Sequence, residues 1–383
     1  MKAFSKVLFV LLSFVFLEGY SQKVSFRLEN QVSAWAGIRA SDTLLLQAGS
    51  RYIPVISIAD SMKKERIFDA EASLKLYGNM DFTGTAYTGG EALVRPYRMW
   101  LRYATRRLEI RAGLQKINFG SATILRPLMW FDQMDPRDPL QITDGVYGLL
   151  GRYYFRGNTN IWLWGLVGNH KLRGWETVPG IKKTPEYGGR LQIPLAKGEA
   201  ALSFHRRKAD FTTLLPPVPA PSQTSFYEDK FAFDGKWDIG PGIWIEGAGK
   251  HNDPANGIFP EWEFWLNAGL DYTFPIGNGL TLTTEYLRYQ RKATALLKAG
   301  EMNYSVLTGT YPFGLLNSAM ALIYYDWNNK NWYRFISLKR EYDYWSFYLM
   351  GFWNPENASL PNSGSEKNFF IGKGIQLMAV VNF

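Results

Sequence analysis

The residues in this chain best placed to do chemical work are arginines. Arg98 and Arg102, Arg107 and Arg111, then Arg152, Arg190 and Arg207 fall in successive short segments, the paired ones at even spacing. In an extended strand, even spacing puts side chains on one face. Guanidinium groups stay charged and planar and present a fork of donors, so a wall of them around confined water concentrates anions. The competing expectation is a structural network in which these arginines pair with Asp69, Glu71, Glu109, Glu199 and Asp234 on the same parity. Arg107, beside Arg106 in a turn, suits solvent or lipid headgroups instead.

A second candidate is the connection 120–144, which contains Leu128-Met129-Trp130-Phe131-Asp132-Gln133-Met134-Asp135-Pro136-Arg137-Asp138-Pro139. Its prolines, Pro127, Pro136 and Pro139, forbid a central strand, yet its apolar residues need burial. The expectation is a loop folded into a barrel mouth, with Trp130, Asp132, Asp135, Arg137 and Asp138 at a constriction. The alternative is a latch across the rim whose acids cap turns. A calcium site on Asp132, Asp135 and Asp138 is disfavoured, because Arg137 opposes it and no loop glycine is present, so no metal is assigned. His170, His205 and His251 lie in unrelated segments with no serine or cysteine nucleophile in a recognisable turn. The reading is therefore of a non-enzyme without a cofactor.

Positioning such residues falls to strands of period two. Phe68, Ala70, Ala72, Leu74, Leu76 and Met80 alternate with Asp69, Glu71, Ser73, Lys75, Tyr77, Asn79 and Asp81, and similar runs begin at Phe26, Phe231 and Trp262. One charged face and one apolar face place a strand between water and lipid. Segments of this kind number about eighteen (16–18). They are joined alternately by short Gly-containing or polar turns and by longer connections, which predicts an all-β, antiparallel up-and-down transmembrane barrel of polar interior and apolar exterior.

Bulk properties agree. Residues 1–22 pair Lys2 and Lys6 with an apolar run, Val7 to Leu17, that is too short to span hydrocarbon, and then break at small Gly19 and Ser21. They read as a signal peptide ahead of a single barrel domain, 23–383. Aromatic residues make up 16% of the chain, enough for interfacial girdles, and cysteine is absent, so stability rests on strand pairing and packing. The net charge of +9 favours anionic partners. Its basic residues are spread along strands rather than gathered on a helix or tail, which argues against nucleic acid.

The last strand carries Ile375, Leu377, Ala379, Val381 and Phe383 on one parity, and a terminal Phe383 resembles the signature that the barrel-assembly machinery recognises. Arg111-Ala112-Gly113-Leu114-Gln115-Lys116-Ile117-Asn118-Phe119-Gly120, followed by Asp135-Pro136-Arg137-Asp138-Pro139, resembles the strand and inward loop of alginate-export-type and related porin-like barrels, with Phe119 where Trp is usual. That resemblance, over about thirty residues, implies an eighteen-stranded channel in the outer membrane of a Gram-negative bacterium. The expected function is passive or substrate-selective passage of small, anionic solutes or acidic saccharides through a basic lumen. The alternatives are a plugged barrel binding surface polysaccharide through outer aromatics such as Trp175, Trp262 and Trp332, or a polysaccharide exporter.

Overall fold

The computed structural model describes residues 24–40, 43–60, 65–212, 224–253, 259–293, 298–356 and 369–383. The expected signal segment, 1–22, lies outside them.

Eighteen strands follow one another: β1 (Val24–Ala40), β2 (Leu44–Asp60), β3 (Arg66–Thr83), β4 (Ala86–Thr105), β5 (Leu108–Gln115), β6 (Val146–Tyr154), β7 (Asn160–Leu166), β8 (Glu186–Leu195) and β9 (Gly198–Asp210). The second half comprises β10 (Ser225–Asp238), β11 (Gly242–Asn252), β12 (Trp262–Phe274), β13 (Leu280–Arg291), β14 (Gly300–Pro312), β15 (Asn317–Asp326), β16 (Asn331–Glu341), β17 (Trp345–Trp353) and β18 (Lys373–Asn382). Each strand pairs antiparallel with its chain neighbours, and β18 returns to β1 from Gln31↔Asn382 to Ala40↔Lys373. Closure leaves no sheet edge, the condition for carrying strands through hydrocarbon. Asn30 and Phe383 exchange backbone hydrogen bonds at the seam, and residues 24–29 run past the C-terminus paired with β2 alone.

Alternation decides which side chains face out. Phe26, Leu28 and Ile38 on β1, Phe231 and Phe233 on β10, and Phe264, Leu266 and Leu270 on β12 are exposed on the outer wall. Their neighbours Ser33, Lys230, Asp234, Glu263 and Asn267 are buried inside. An outer wall of exposed aliphatic and aromatic groups is stable only against lipid.

Three expectations need correction. The connection after β3, expected to be long, is only residues 84–85. Gly84, at φ 60°, turns the chain so tightly that β4 starts at Ala86, well ahead of the alternation visible from Val94. The strand expected over 107–119 stops at Gln115, because the residues beyond it enter the lumen. The interior is also not polar all round. On β13 to β18 the inner positions Leu287, Val306, Leu322, Phe335, Met350, Phe352 and Val380 are apolar and buried, so these strands are hydrophobic on both faces over much of their length, with Glu285, Asp326, Ser337 and Gln376 as polar inner positions among them.

The outward placement of Leu266, between the aromatic ends Trp262 and Tyr272 of β12, gives a direct test. Leu266→Arg is expected to weaken folding into bilayers by about 2–4 kcal/mol, the effect of a cation near the midplane. Urea titration in lipid vesicles measures it, and an unchanged midpoint would contradict the assignment.

Candidate functional site

The inner wall from β4 to β9 carries all six arginines expected to line the lumen. Arg102 is clamped by Asp69 on β3 at 2.8 and 2.6 Å. Glu109 serves two of them, Arg111 at 3.1 Å and Arg152 at 3.6 Å. Arg111 lies 4.7 Å from the Trp100 ring, and Arg152 lies 3.8 Å from Trp162. Arg190 forms a bidentate pair with Asp234 at 2.5 and 2.8 Å and lies over Phe119. Arg207 is held by Glu228 at 2.7 and 3.0 Å and faces Glu176 at 3.2 Å. Arg98 differs, donating to the carbonyls of Tyr97 and Thr143. Five of the six thus have carboxylate partners, four of them through the expected Asp69, Glu109 and Asp234, whereas Arg207 takes Glu228 and Glu176 and the expected Glu199 accepts from Gln192 instead. Arg107 sits exposed in a turn.

Exposure separates these arginines further. Arg190 and Arg207 are sealed, whereas Arg102, Arg111 and Arg152 keep 28%, 17% and 17% of their side chains open. These three lie near the short turns, in a polar vestibule shared with Asp69, Glu71 and Glu109.

Above the vestibule, the 116–145 loop crosses the barrel. Its first half is caught by two wall carboxylates. Glu246 on β11 accepts the amides of Ser121 and of Ala122, the latter at 2.7 Å. Glu285 on β13 accepts Thr123 N at 2.7 Å, Thr123 Oγ1 at 2.9 Å, Ile124 N at 3.1 Å and Leu125 N at 2.6 Å. Asn267 on β12 donates to the Leu125 carbonyl at 2.9 Å. Successive backbone N–H groups converging on a carboxylate form an anion nest. Gly120, at φ 99°, brings the chain into position, and a Cβ there would stand 2.6 Å from Glu246 Oε1.

The second half of the loop is tied to the opposite wall. Asp144 pairs with Arg95 at 2.9 Å, the Thr143 carbonyl accepts from Arg98 at 2.9 Å, and Asp138 faces Arg51 of β2 at 3.8 Å. Between these ties, Ile124, Leu125, Leu128, Trp130 and Phe131 join Leu150, Trp164, Leu287, Val306 and Leu322 in one buried cluster. Trp130 is buried in that core. Asp132 pairs with Arg126 at 2.8 Å, and Asp135 forks Arg137 at 2.9 and 2.7 Å. Burial pushes the Asp138 carboxyl above its ordinary range against the pull of Arg51. Among the described residues, no cluster of three metal-ligating side chains forms, and these three aspartates are engaged separately.

The 167–185 loop folds in above. Trp175, expected on the outer surface, instead lies inside, donating to the Arg126 carbonyl at 2.9 Å and lying 5.9 Å from Trp265. Trp262 and Trp332 are at the long-loop ends of β12 and β16. Glu176 completes a charge ladder of Arg173, Glu186, Arg207, Glu228, Lys230, Lys250 and Glu263 across β8 to β12. Burial raises the Glu176 pKa, but Arg173, Arg207 and Lys230 outweigh it and hold it at about 2. His205 is part of the same wall, accepting from Trp164 at 3.1 Å and facing Glu186 at 3.3 Å.

Sequence parity identified the arginine wall but missed Arg95. A register shift between Ser73 and Leu74 leaves Tyr97 as an extra residue, so Arg95 and Arg98 both point inward despite odd spacing. Glu246 and Glu285 were missed because their partners are backbone amides, which no side-chain pattern reveals.

No protein-family model and no curated protein sequence matches the chain. Among solved structures, OmpT, an outer membrane protein of Vibrio cholerae in a trimer form, aligns with a TM-score of 0.52 at 10% identity, over 94% of this chain and 99% of that one. OmpF of Salmonella typhi in complex with daunomycin aligns at 0.49 and 11% identity, over 94% and 97% of the two chains. An anion-selective porin from Comamonas acidovorans aligns at 0.49 and 11%, over 94% and 100%. The likeness is one of fold: with its closed sheet and apolar outer wall, the chain has the fold of an outer-membrane β-barrel.

Two outcomes are expected. Glu285→Ala strips the acceptor from three backbone amides, those of Ile124 and Leu125 buried, at roughly 1–3 kcal/mol for each buried one left unpaired, and should expose the 120–144 segment to protease in folded barrels that otherwise resist. Because the folded pKa of Glu176 lies below its ordinary value of 4.5, its stabilising contribution is complete above that pH and fades as pH falls toward 2. Trp175 emission should follow that acid range, and Glu176→Gln should flatten the response.

Proposed function

We propose that this barrel is a porin-like, substrate-selective channel for small anionic solutes, with the 116–145 loop as its gate and constriction. The observation that carries the reading is the vestibule, where Arg102, Arg111 and Arg152 remain partly open to water beside Trp100 and Trp162, beneath the loop that bridges the lumen. In this reading Arg98, Arg190 and Arg207 shape the wall and support the gate.

The local charge decides the mode of selection. Three arginines face three acids, Asp69, Glu71 and Glu109, so the vestibule has no large net field. Attraction of bulk anions is therefore weak, and selection falls to recognition. Guanidinium forks can exchange an internal carboxylate for a solute carboxylate, while the indole faces offer stacking area. Acidic saccharides and small organic acids have the right groups. Phe383, exposed at the seam, is proposed as the signal read by the assembly machinery.

A second reading, a plugged barrel that binds or exports a saccharide, draws on the tight wall-to-wall anchoring of the loop. Planar-bilayer recording separates the two. The channel reading expects conductance that rises when 120–144 is shortened, and block of that conductance by a uronic acid added to the bath. Arg111→Ala with Arg152→Ala should weaken that block roughly twofold or more. A folded barrel silent both before and after shortening would overturn the channel.

A further inference from the structure

A groove of about 680 Å³ lies on the outer wall of the barrel, not in the lumen. It crosses the seam where β15 to β18 meet β1. Its floor is made of small residues, since Ala34 pairs with Ala379 across the β1–β18 seam and Ala36 lies two residues along. Bulky neighbours form the banks. Phe347 pairs with Ala379, and Leu349 pairs with both Leu377 and Leu338.

The groove ends at a cation. Arg340 pairs with Phe347 on one side and with Asn317 on the other, next to the short turn 313–316. Its side chain is exposed on the outer parity and has no carboxylate partner among the described residues, because the neighbouring Glu341 is taken by Lys339 at 2.6 Å. It lies 5.1 Å from the Tyr342 ring. Tyr342, Tyr344, Trp345 and Phe313 are exposed at the same rim, an aromatic belt marking headgroup level.

We propose that this groove is a binding site for one phospholipid with an anionic headgroup, drawn from the leaflet on the short-turn, periplasmic side. Arg340 meets the phosphate, and an acyl chain lies over the alanine floor between Phe347 and Leu377. Ordinary lipid-facing wall offers bulky side chains and no fixed shape. Here the floor recedes by several side-chain atoms along two adjacent rows, and the unpaired guanidinium stands where the polar head of a lipid in that groove must lie. This inference requires only that the chain spans a membrane and does not depend on what crosses the lumen.

The test is native mass spectrometry of the folded barrel released from mixed phosphatidylglycerol and phosphatidylcholine bilayers. One retained lipid is expected, with phosphatidylglycerol favoured about fivefold, the effect of one basic residue at a membrane surface. Arg340→Ala should equalise the two lipids. Ala379→Phe fills the floor from the lipid side, and its folding is checked by heat-modifiable mobility. It should abolish retention of either lipid. Equal retention of both lipids by the unaltered barrel, or occupancy unaffected by Ala379→Phe, would refute the site. So would masses showing the groove covered by a second copy of the chain that Ala379→Phe dislodges.

Discussion

Every backbone N–H and C=O that passes through hydrocarbon must find a partner within the protein, and the rest of this architecture follows from that requirement. It forces the sheet to close from β18 onto β1, here by an antiparallel pairing, and consigns half the side chains to lipid. What it leaves undetermined is the interior. A cylinder of eighteen strands is wide enough to need either water or protein inside it. This chain uses both, a polar vestibule at the short-turn end and folded-in loops above.

The loops occupy the lumen as the middle of a globular protein would. Apolar side chains of 124–131 meet apolar inner positions of β13 to β18, while charged inner positions of β8 to β12 are matched one against another. Buried ions in such a ladder add little net stability compared with apolar packing, but each is expensive to leave alone. The ladder therefore fixes where the 167–185 loop docks more than how tightly. The carboxylates of Glu246 and Glu285 act similarly on 120–125, gripping main chain rather than side chains and so holding the loop by its shape.

Much of the barrel was legible in the residues. Strands Glu186–Leu195 and Trp262–Phe274 could be bounded to the residue, because polar and apolar groups alternate over most of their length and turn residues flank them. The turn at 84–85 and the beginning of β4 were hidden by Gly84, Gly89 and Gly90, which carry no facing information. The inner faces of β17 and β18 were hidden for another reason. Alternation separates lipid from water, but Met350, Phe352, Met378 and Val380 face protein, and their partners come from segments remote in sequence. The arginine wall was visible from parity, yet its pairing was not, since parity gives a direction and not a neighbour. Trp175 was misplaced outside because polar residues surround it in the chain, while its burial depends on the loop below it.

The loop that fills the barrel joins the fifth strand to the sixth, yet the anchors of its first half lie on β11 and β13 and its apolar bed extends to β18. A ring cannot be threaded after it is complete without pushing folded protein through its mouth. The topology therefore favours an order of events: the segment settles onto a curved, still open sheet, and the joining of first strand to last seals it in. In that sense the stopper serves as the mould around which the cylinder is wrapped.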